Sequence, residues 1–270
     1  MKFLFCLFIL FSFLLQTQAQ ELIIHKTDGS TIPVPLHTID SITFFSSEVF
    51  VCGTSTINDI DGNVYSTVEI NNRCWMAENL KTTTYDNNIP LAFPGEDAQE
   101  WSSNTSGAYA WYHHDIAWKD SYGALYNYFA AVSPNGICPE GWHVPSDEEW
   151  ADLMSYIEGP NSIKGNKLKS CRQVDSPLGG DCTTDEHPRW NFRETHYGTD
   201  DYGFSGLPGG GCNSNGQWYS IGATGNFWTS TEYMFDQNQG WMYFLNFYDG
   251  TVNRVGVYKN AGFSIRCIMD

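Results

Sequence analysis

The chain has 270 residues, of which 16% are aromatic, and its 31 acidic side chains outnumber 14 basic ones to give a net charge of −17. So acidic a surface repels phosphate backbones and anionic lipid, which argues against nucleic acid as a partner. The aromatic content excludes a disordered chain, because disordered segments lack the large apolar side chains that build a core.

Residues 1–19 have the three parts of a secretory signal peptide. Lys2 supplies the positive charge, residues 3–15 form the apolar run, and Thr17–Ala19 supplies the small-residue cleavage site. The run is too short to anchor stably in a bilayer core of ~30 Å, although an N-terminal membrane helix is the alternative interpretation. Cys6 lies inside the run, which argues against a lipid anchor. We expect a protein that is secreted or displayed at the cell surface, with no transmembrane segment after cleavage.

Residues 20–48 predict a short β-strand leader. Leu22–Lys26 and Thr31–Leu36 are extended runs on either side of an Asp28-Gly29 turn, and Ile39–Phe44 is a third run. The segment resembles the strand leader of many exported proteins of Bacteroidetes-type bacteria. Because it is too small to be stable alone, we expect it to be a docking or spacing element.

Residues 49–270 predict the main domain, which begins with a hairpin. Val64–Ile70 alternates apolar and polar residues directly after Asp61-Gly62-Asn63. The loop Asp59–Asn63 also offers oxygen ligands at alternate positions, as calcium sites do. The loop lacks the distant bidentate glutamate of such sites, so a simple turn is the favoured interpretation.

One helix is predicted from its start to its end. Ser146 and Glu149 have the spacing of a capping box, and Gly159-Pro160 ends the pattern. The apolar stripe between them is Trp150, Leu153, Met154 and Ile157. Residues 124–132 fit a helix and a strand equally well.

Short extended runs fill the chain from Phe204 onward, with a hairpin turn at Tyr248–Thr251. The predicted strands are 218–221, 226–230, 241–247, 251–255 and 263–268. We therefore expect a loop-rich α+β fold whose sheet lies mostly in the C-terminal half.

Seven cysteines remain after signal cleavage, and export to an oxidising compartment predicts three disulfides and one free thiol. Choosing the free one (7 ways) and pairing six (15 ways) leaves 105 arrangements. Local spacing favours pairs that flank a turn or a hairpin: Cys171 with Cys182, and Cys52 with Cys74, which leaves Cys138 with Cys267. Cys212 is then the free thiol; a catalytic role for it would require a nearby base, which the sequence does not show.

Six motifs occur in order along the main domain: Trp75–Thr82, Tyr122–Asn127, Cys138–Trp150, Gly203–Gly210, Phe227–Glu232 and Gly262–Cys267. Together they resemble the Fibrobacter succinogenes major paralogous domain, over Cys52 to Asp270.

Three of these motifs are also similar to distant members of the C-type lectin-like fold: Gly-Trp-x-x-Pro at 141–145, Trp-x-Ser-Thr at 228–231 and Gly-Phe-x-x-Arg-Cys at 262–267. The resemblance implies a compact domain whose termini meet, consistent with a Cys138–Cys267 bridge. It also implies that loops on one face bind the ligand.

The ligand-binding candidates are flat rings and amides between residues 213 and 260: Trp218, Tyr219, Tyr233, Trp241, Tyr243, Tyr248 and Asn253. Such rings suit sugar faces and protein epitopes alike. We expect a non-catalytic module that binds a glycan or protein at the cell surface. The alternative is a structural or adhesin component of the envelope without a small ligand.

No motif of the sequence predicts catalysis, a cofactor or a metal. It has no phosphate loop, nucleophile elbow or zinc-protease motif, and no calcium-lectin signature. His113 and His114 are adjacent, and neighbours on a strand point to opposite faces, which makes a poor metal pair. An enzyme of the formylglycine-generating type is a minor alternative, and it would need a pair of reactive cysteines.

Overall fold

The computed structural model describes residues 21–26, 28–41 and 49–270. The predicted signal peptide and residues 42–44 of the third leader run lie outside the described residues. The chain divides into two units between Val49 and Phe50.

The first unit contains a two-stranded antiparallel ribbon. Strands β1 (Glu21–His25) and β2 (Thr31–Pro35) pair with Ile23 opposite Pro33, and a 3-10 turn follows at Leu36–Thr38. The Asp28 carboxylate accepts hydrogen bonds from the Ser30 amide at 2.8 Å and hydroxyl at 2.6 Å, which holds the turn. The two predicted leader strands are confirmed.

The second unit contains twelve strands and five short helices among its described residues. The strands are β3 (Thr56–Asn58), β4 (Val64–Ile70), β5 (Arg73–Met76), β6 (Tyr109–Ala110), β7 (Leu125–Tyr126), β8 (Trp142–His143), β9 (Gly211–Cys212), β10 (Trp218–Tyr219), β11 (Thr224–Glu232), β12 (Gln239–Asn246), β13 (Val252–Tyr258) and β14 (Ile268–Met269). The helices are α1 (Ala98–Ser103), α2 (Lys119–Tyr122), α3 (Tyr128–Ala131), α4 (Asp147–Tyr156) and α5 (Asn161–Leu168).

The largest sheet has the strand order β3-β4-β5-β14-β8. The C-terminal strand β14 lies between β5 and β8, with Ile268 opposite both Trp75 and His143. The two ends of the second unit therefore meet in one sheet. The long strands β11, β12 and β13 lie in the C-terminal half, as expected, but three of the five strands of this largest sheet lie between residues 56 and 76.

The second sheet is the meander β11-β12-β13. Trp228 pairs with Met242 and Met242 with Val255, and a bulge separates Trp228 from Glu232. The predicted turn between β12 and β13 is confirmed, with the Asp249 carboxylate accepting from the Thr251 amide at 2.7 Å.

Helix α4 begins at the predicted capping box. The Ser146 hydroxyl accepts from the Glu149 amide, and the Glu149 carboxylate accepts from the Ser146 amide. Helix α4 ends at Tyr156, three residues before the predicted stop at Gly159, and Pro160 is the N-cap of α5, which was not predicted. Residues 124–132 divide at Asn127 into β7 and α3, because the Asn127 side chain caps α3.

Aromatic rings fill the core. Trp150 stacks on Tyr243 with ring centroids 4.9 Å apart and packs edge-to-face on Trp75 at 5.5 Å. The Arg266 side chain is fully buried between the rings of Phe204 and Phe227, 4.4 and 5.4 Å from their centroids. Aromatic side chains therefore fill the core between the short helices and strands of this domain.

Three disulfides join the cysteines that local spacing favoured: Cys52 with Cys74, Cys138 with Cys267, and Cys171 with Cys182. Cys212 is a buried free thiol. Burial raises the pKa of this thiol to about 12, so it stays protonated and does not act as a nucleophile at neutral pH.

A buried lysine joins three segments of the chain. The Lys169 ammonium donates hydrogen bonds to the main-chain carbonyls of His196, Asn246 and Asp249, at 2.6, 2.7 and 2.9 Å. No carboxylate lies among these acceptors. Burial lowers the pKa of this amine to about 7, against the opposing charge of Asp249.

We expect Lys169 to make stability depend on pH. Between pH 7 and about 10.4 the unfolded chain carries a proton on this lysine that the native protein releases, so the free energy of unfolding rises with pH. The contribution is at most about 1.4 kcal/mol per pH unit. Urea unfolding of the wild type and of Lys169→Met at pH 7, 8 and 9 measures it.

The free energy of unfolding of the wild type minus that of Lys169→Met should increase from pH 7 to pH 9. Lys167→Met is the control, because that amine lies 3.6 Å from the Asp201 carboxylate nearer the surface. A constant difference between wild type and Lys169→Met would show that the buried amine keeps its proton.

Candidate functional site

The turn between β11 and β12 is ordered by one carboxylate. Asp236 accepts from the Asn238 amide at 2.9 Å and from the Gln239 side-chain amide at 3.1 Å. The Tyr233 amide donates to the Gln239 carbonyl at 3.0 Å, which closes the hairpin. The main chain of the turn therefore has internal partners and a fixed course.

Two large apolar side chains project from this turn. Met234 is 77% exposed and Phe235 is 76% exposed. Tyr258, opposite Gln239 at the end of β13, is exposed as well. Scattered single apolar residues are ordinary on a protein surface, whereas these lie next to one another on an ordered turn, which makes the turn the candidate site.

The rings behind the tip are fixed in place. Tyr233 packs edge-to-face on Trp241 with centroids 4.5 Å apart and on Phe235 at 5.4 Å. The Arg254 guanidinium lies 3.4 Å from the centroid of the Trp241 ring, and Asp147 binds it through two oxygens, at 2.5 and 2.6 Å. This chain of contacts preorganises the rings, which lowers the entropy lost on binding.

We call Tyr233, Met234, Phe235, Trp241 and Tyr258 the hairpin-tip surface. Its charged border is largely paired, because Glu232 binds Lys259 and Asp147 binds Arg254. The surrounding molecule carries a net charge of −17. A partner with a neutral or basic border is therefore favoured over an acidic one.

The structure separates the predicted binding residues. Tyr233 and Trp241 lie together on the hairpin-tip surface. Tyr243 is only 5% exposed, because helix α4 covers that part of the same sheet face and places Trp150 on its ring. Tyr243 is therefore a core residue and not a ligand contact, which corrects the prediction.

Four further candidates lie away from the tip. Tyr248 is in the β12–β13 turn, at the other end of β12, roughly 25 Å away for a strand of this length. Asn253 pairs with Phe244 and so points to the opposite face of the sheet from Trp241. Trp218 and Tyr219 form β10, in a different two-stranded sheet. Trp218, Trp241 and Tyr243 therefore do not share a groove.

Met234, Phe235 and Tyr258 of this surface, and Arg254, which lies on the Trp241 ring, were absent from the predicted site residues. The sequence held a signal for the first two, since Met234-Phe235 places two large apolar residues in a turn beside Asp and Asn. Nothing in the sequence indicated that Arg254 would lie across the Trp241 ring, because that contact depends on Asp147 of a distant helix.

The main concavities found among the described residues do not include the hairpin tip. One of about 580 Å³ lies beside the Cys52–Cys74 bridge and is bordered by Phe50, Arg73 and Asp270. It is wide and open to solvent, whereas small-molecule pockets enclose most of their ligand. The exposed rings, rather than this concavity, are the better candidate site.

The carboxylates of the Asp59–Asn63 loop, for which a calcium site was the less favoured interpretation, already have hydrogen-bond partners. Asp59 accepts from the Asn63 amide at 2.9 Å and from the Tyr65 hydroxyl at 2.5 Å. Asp61 accepts from the amide and hydroxyl of Thr83, at 2.6 and 2.9 Å. Within residues 21–26, 28–41 and 49–270 no three His, Cys, Asp or Glu side chains are grouped as metal ligands.

Comparison with known proteins gives one match. The family model of the Fibrobacter succinogenes major domain matches residues 68–269. No curated protein and no solved structure matches significantly. In the described part of the chain, no helix has the length and apolar character that a membrane crossing requires.

Proposed function

This chain belongs to the Fibrobacter succinogenes major domain family, and from that premise we propose that it is an exported, non-catalytic binding module that docks a protein partner on the hairpin-tip surface. One observation carries the proposal. Met234 and Phe235 are about three-quarters exposed on a turn that Asp236 holds in place. Exposing such side chains on an ordered turn costs free energy that a partner recovers by covering them.

Export is supported by two features of the chain. Three disulfides join six of the seven described cysteines, and such bonds persist in oxidising compartments outside the cytoplasm. The first 19 residues have the pattern of a cleaved signal peptide. Secretion or display at the cell surface is part of the proposal.

A C-type lectin-like arrangement is also part of the proposal. Two observations support it: strand β14 pairs with β5 and β8, and the Cys138–Cys267 bridge joins the middle of the chain to its C-terminal end. In such an arrangement the sheet that joins the two ends of the domain is structural, and loops on another face are free to bind a partner.

The composition of the surface favours a protein over a small ligand. Phe, Tyr, Trp, Met and Arg are enriched where proteins meet, while flat exposed tips enclose small molecules poorly. The partner would present an apolar recess for Phe235 with a neutral or basic border. Burying one phenylalanine side chain on binding contributes about 1.5–3 kcal/mol.

Site-specific photo-crosslinking tests the proposal. A photoreactive phenylalanine analogue replaces Phe235 in the full chain, expressed in cells that export it, and the matched control places the analogue at exposed Ile163 on α5. We expect one discrete adduct from position 235 that is absent from position 163. The adduct should be lost when Met234→Asp is added, because a carboxylate would have to be buried in the recess.

Two results would contradict this function. The same adducts from positions 235 and 163 would show only random collision. An adduct with a second copy of this chain alone would identify self-association in place of a separate partner.

A further inference from the structure

Strand β13 is an outer strand of the second sheet and pairs with β12 along its whole length. The Lys259 amide donates to the Asn238 carbonyl at 3.0 Å, which extends this ladder by one pair. Hydrogen-bonded pairs alternate along an antiparallel ladder, so the next ones contain Val257 and Val255. The amides and carbonyls of these two valines therefore face β12, and those of the residues between them face away from the sheet.

The outward main-chain groups of β13 form an unpaired row. Among the described residues, nothing hydrogen-bonds to the amides of Arg254, Gly256 and Tyr258 or to the carbonyls of Arg254 and Gly256. The Tyr258 carbonyl accepts from the Ala261 amide at 2.9 Å. Donors and acceptors thus alternate over about 13 Å of extended chain, which is a template for one more strand.

The other outer strands of this unit lack such an edge. In the largest sheet the outer strands β3 and β8 have only three and two residues, and the outer side of β11 is bridged at Gly225 and Phe227. Proteins protect exposed edges with short strands, prolines and charges. β13 has seven residues without proline, and Asp147 holds its one charged side chain, that of Arg254, against the Trp241 ring.

This edge is continuous with the hairpin-tip surface, to which Tyr258 belongs. Gly256 lies opposite Trp241, and a Cβ on Gly256 would be 2.5 Å from Cγ of Tyr233, so the Tyr233 ring lies directly on the strand. On the other face of the sheet, Val255 is 40% exposed. A segment added to β13 would therefore meet aromatic rings on one face and an exposed valine on the other.

Charge identifies the kind of segment that fits this edge. The chain carries a net charge of −17, which disfavours a second copy of itself. The nearby cations are already engaged, because Arg254 binds Asp147 and Lys259 binds Glu232. The favoured segment is uncharged or basic, has no proline at its pairing positions, and carries apolar side chains at alternate positions.

We propose that the partner binds by strand addition: an extended, uncharged or basic segment of the partner protein pairs with β13 from Arg254 to Tyr258 while Phe235 enters the partner's recess. This inference rests on the proposed docking at the hairpin tip. Main-chain hydrogen bonds provide affinity in this mode of recognition, and alternate side chains provide selectivity. Docking at the tip needs only side-chain contacts, whereas strand addition also requires new main-chain bonds.

Amide hydrogen exchange, followed by NMR on the ¹⁵N-labelled full chain, detects those bonds. In the free protein at low concentration, the amides of Arg254 and Gly256 should exchange quickly, and those of Val255 and Val257 slowly. The probe is the partner protein purified through its adduct at position 235. Adding it should slow the outward amides about tenfold or more, because hydrogen-bonded amides exchange only when the structure opens.

A matched pair of variants tests the main-chain contribution. Tyr258→Pro and Tyr258→Ala both remove the ring, but only proline removes the outward N–H. The fold does not use that N–H, so urea unfolding should give similar stabilities for the two variants. Calorimetry should show that Tyr258→Pro binds the partner about fivefold more weakly than Tyr258→Ala, the effect of one hydrogen bond.

A second pair covers the case in which Tyr258→Pro fails to fold. Val255 lies outside the hairpin-tip surface, and Val255→Lys puts a charge on the edge, as proteins do to block strand addition. It should weaken binding several-fold, whereas Val255→Thr, which keeps a β-branched side chain, should not.

The outcomes separate this inference from the proposed function. A lack of any specific adduct at position 235 would contradict both. A partner that leaves the outward amides in fast exchange, or that binds Tyr258→Pro and Tyr258→Ala equally, would contradict strand addition alone. Slow exchange of these amides in the dilute free chain would show that the chain itself covers the edge. Protection that grows with protein concentration would identify a second copy as the occupant and overturn the inference.

Discussion

Replacing Arg266 with leucine should lower the free energy of unfolding by about 3–5 kcal/mol, since the change leaves buried acceptors without a donor. The guanidinium donates to the Asn79 side-chain oxygen at 2.9 Å, to the Ser205 carbonyl at 2.8 Å and to the Phe204 carbonyl. Leucine fills part of the space between the Phe204 and Phe227 rings but satisfies none of these oxygens.

Lysine at the same position should be nearly as damaging. Its compact ammonium cannot reproduce the planar fork that reaches three acceptors. Urea unfolding of Arg266→Leu and Arg266→Lys measures both losses. For a domain of this size, the melting temperature should fall by roughly 10 °C.

Arg73→Lys is the matched control. Arg73 pairs with Glu149 at 3.1 Å, with its side chain partly in solvent, and exposed pairs of this kind contribute less than about 1 kcal/mol. A loss for Arg266→Leu no larger than that for Arg73→Lys would contradict the structural role of the buried guanidinium.

Removing the Cys138–Cys267 bridge should also lower the free energy of unfolding by a large amount. The bridge spans 129 residues, and the chain-entropy model assigns about 5 kcal/mol to closing a loop of that size. The double variant Cys138→Ala, Cys267→Ala should lose most of this amount, because without the bond the unfolded chain gains the freedom of the open loop.

The Cys171–Cys182 bridge provides an internal comparison. It spans 11 residues, for which the same model gives about 3 kcal/mol. Urea unfolding of the two double-alanine variants under non-reducing conditions should therefore show a larger loss for the long loop by about 2 kcal/mol. Equal losses, or a larger loss for the short loop, would exclude loop closure as the main contribution.

Features set by local chemistry were predictable from the sequence. The capping box fixes the start of α4, the Asp61-Gly62 turn fixes the first hairpin, and short spacing favoured the Cys171–Cys182 pair. Helix α5 was missed because its sequence, NSIKGNKL, lacks an apolar stripe. Its Gly165 packs directly against the Gly250 carbonyl, where a Cβ would lie only 2.9 Å away. That close approach depends on tertiary structure.

The candidate site was predictable only in part, for a similar reason. Strand alternation places Trp241 and Tyr243 on one face of β12, but which of them α4 covers is decided by packing between distant segments. The motifs that carry the family resemblance largely build the core: Asn79, Phe204 and Arg266 come from three of them and meet at one guanidinium. The proposed binding surfaces lie largely between those motifs.

The most direct test of the proposed function is the affinity of the purified partner recovered from the position-235 adduct. Calorimetry should show that Phe235→Asp weakens binding at least tenfold, since a buried phenylalanine contributes about 1.5–3 kcal/mol. Trp218→Ala should leave the affinity unchanged, because Trp218 lies in a separate sheet. Equal affinity of the wild type and Phe235→Asp would contradict a partner docked on the hairpin tip.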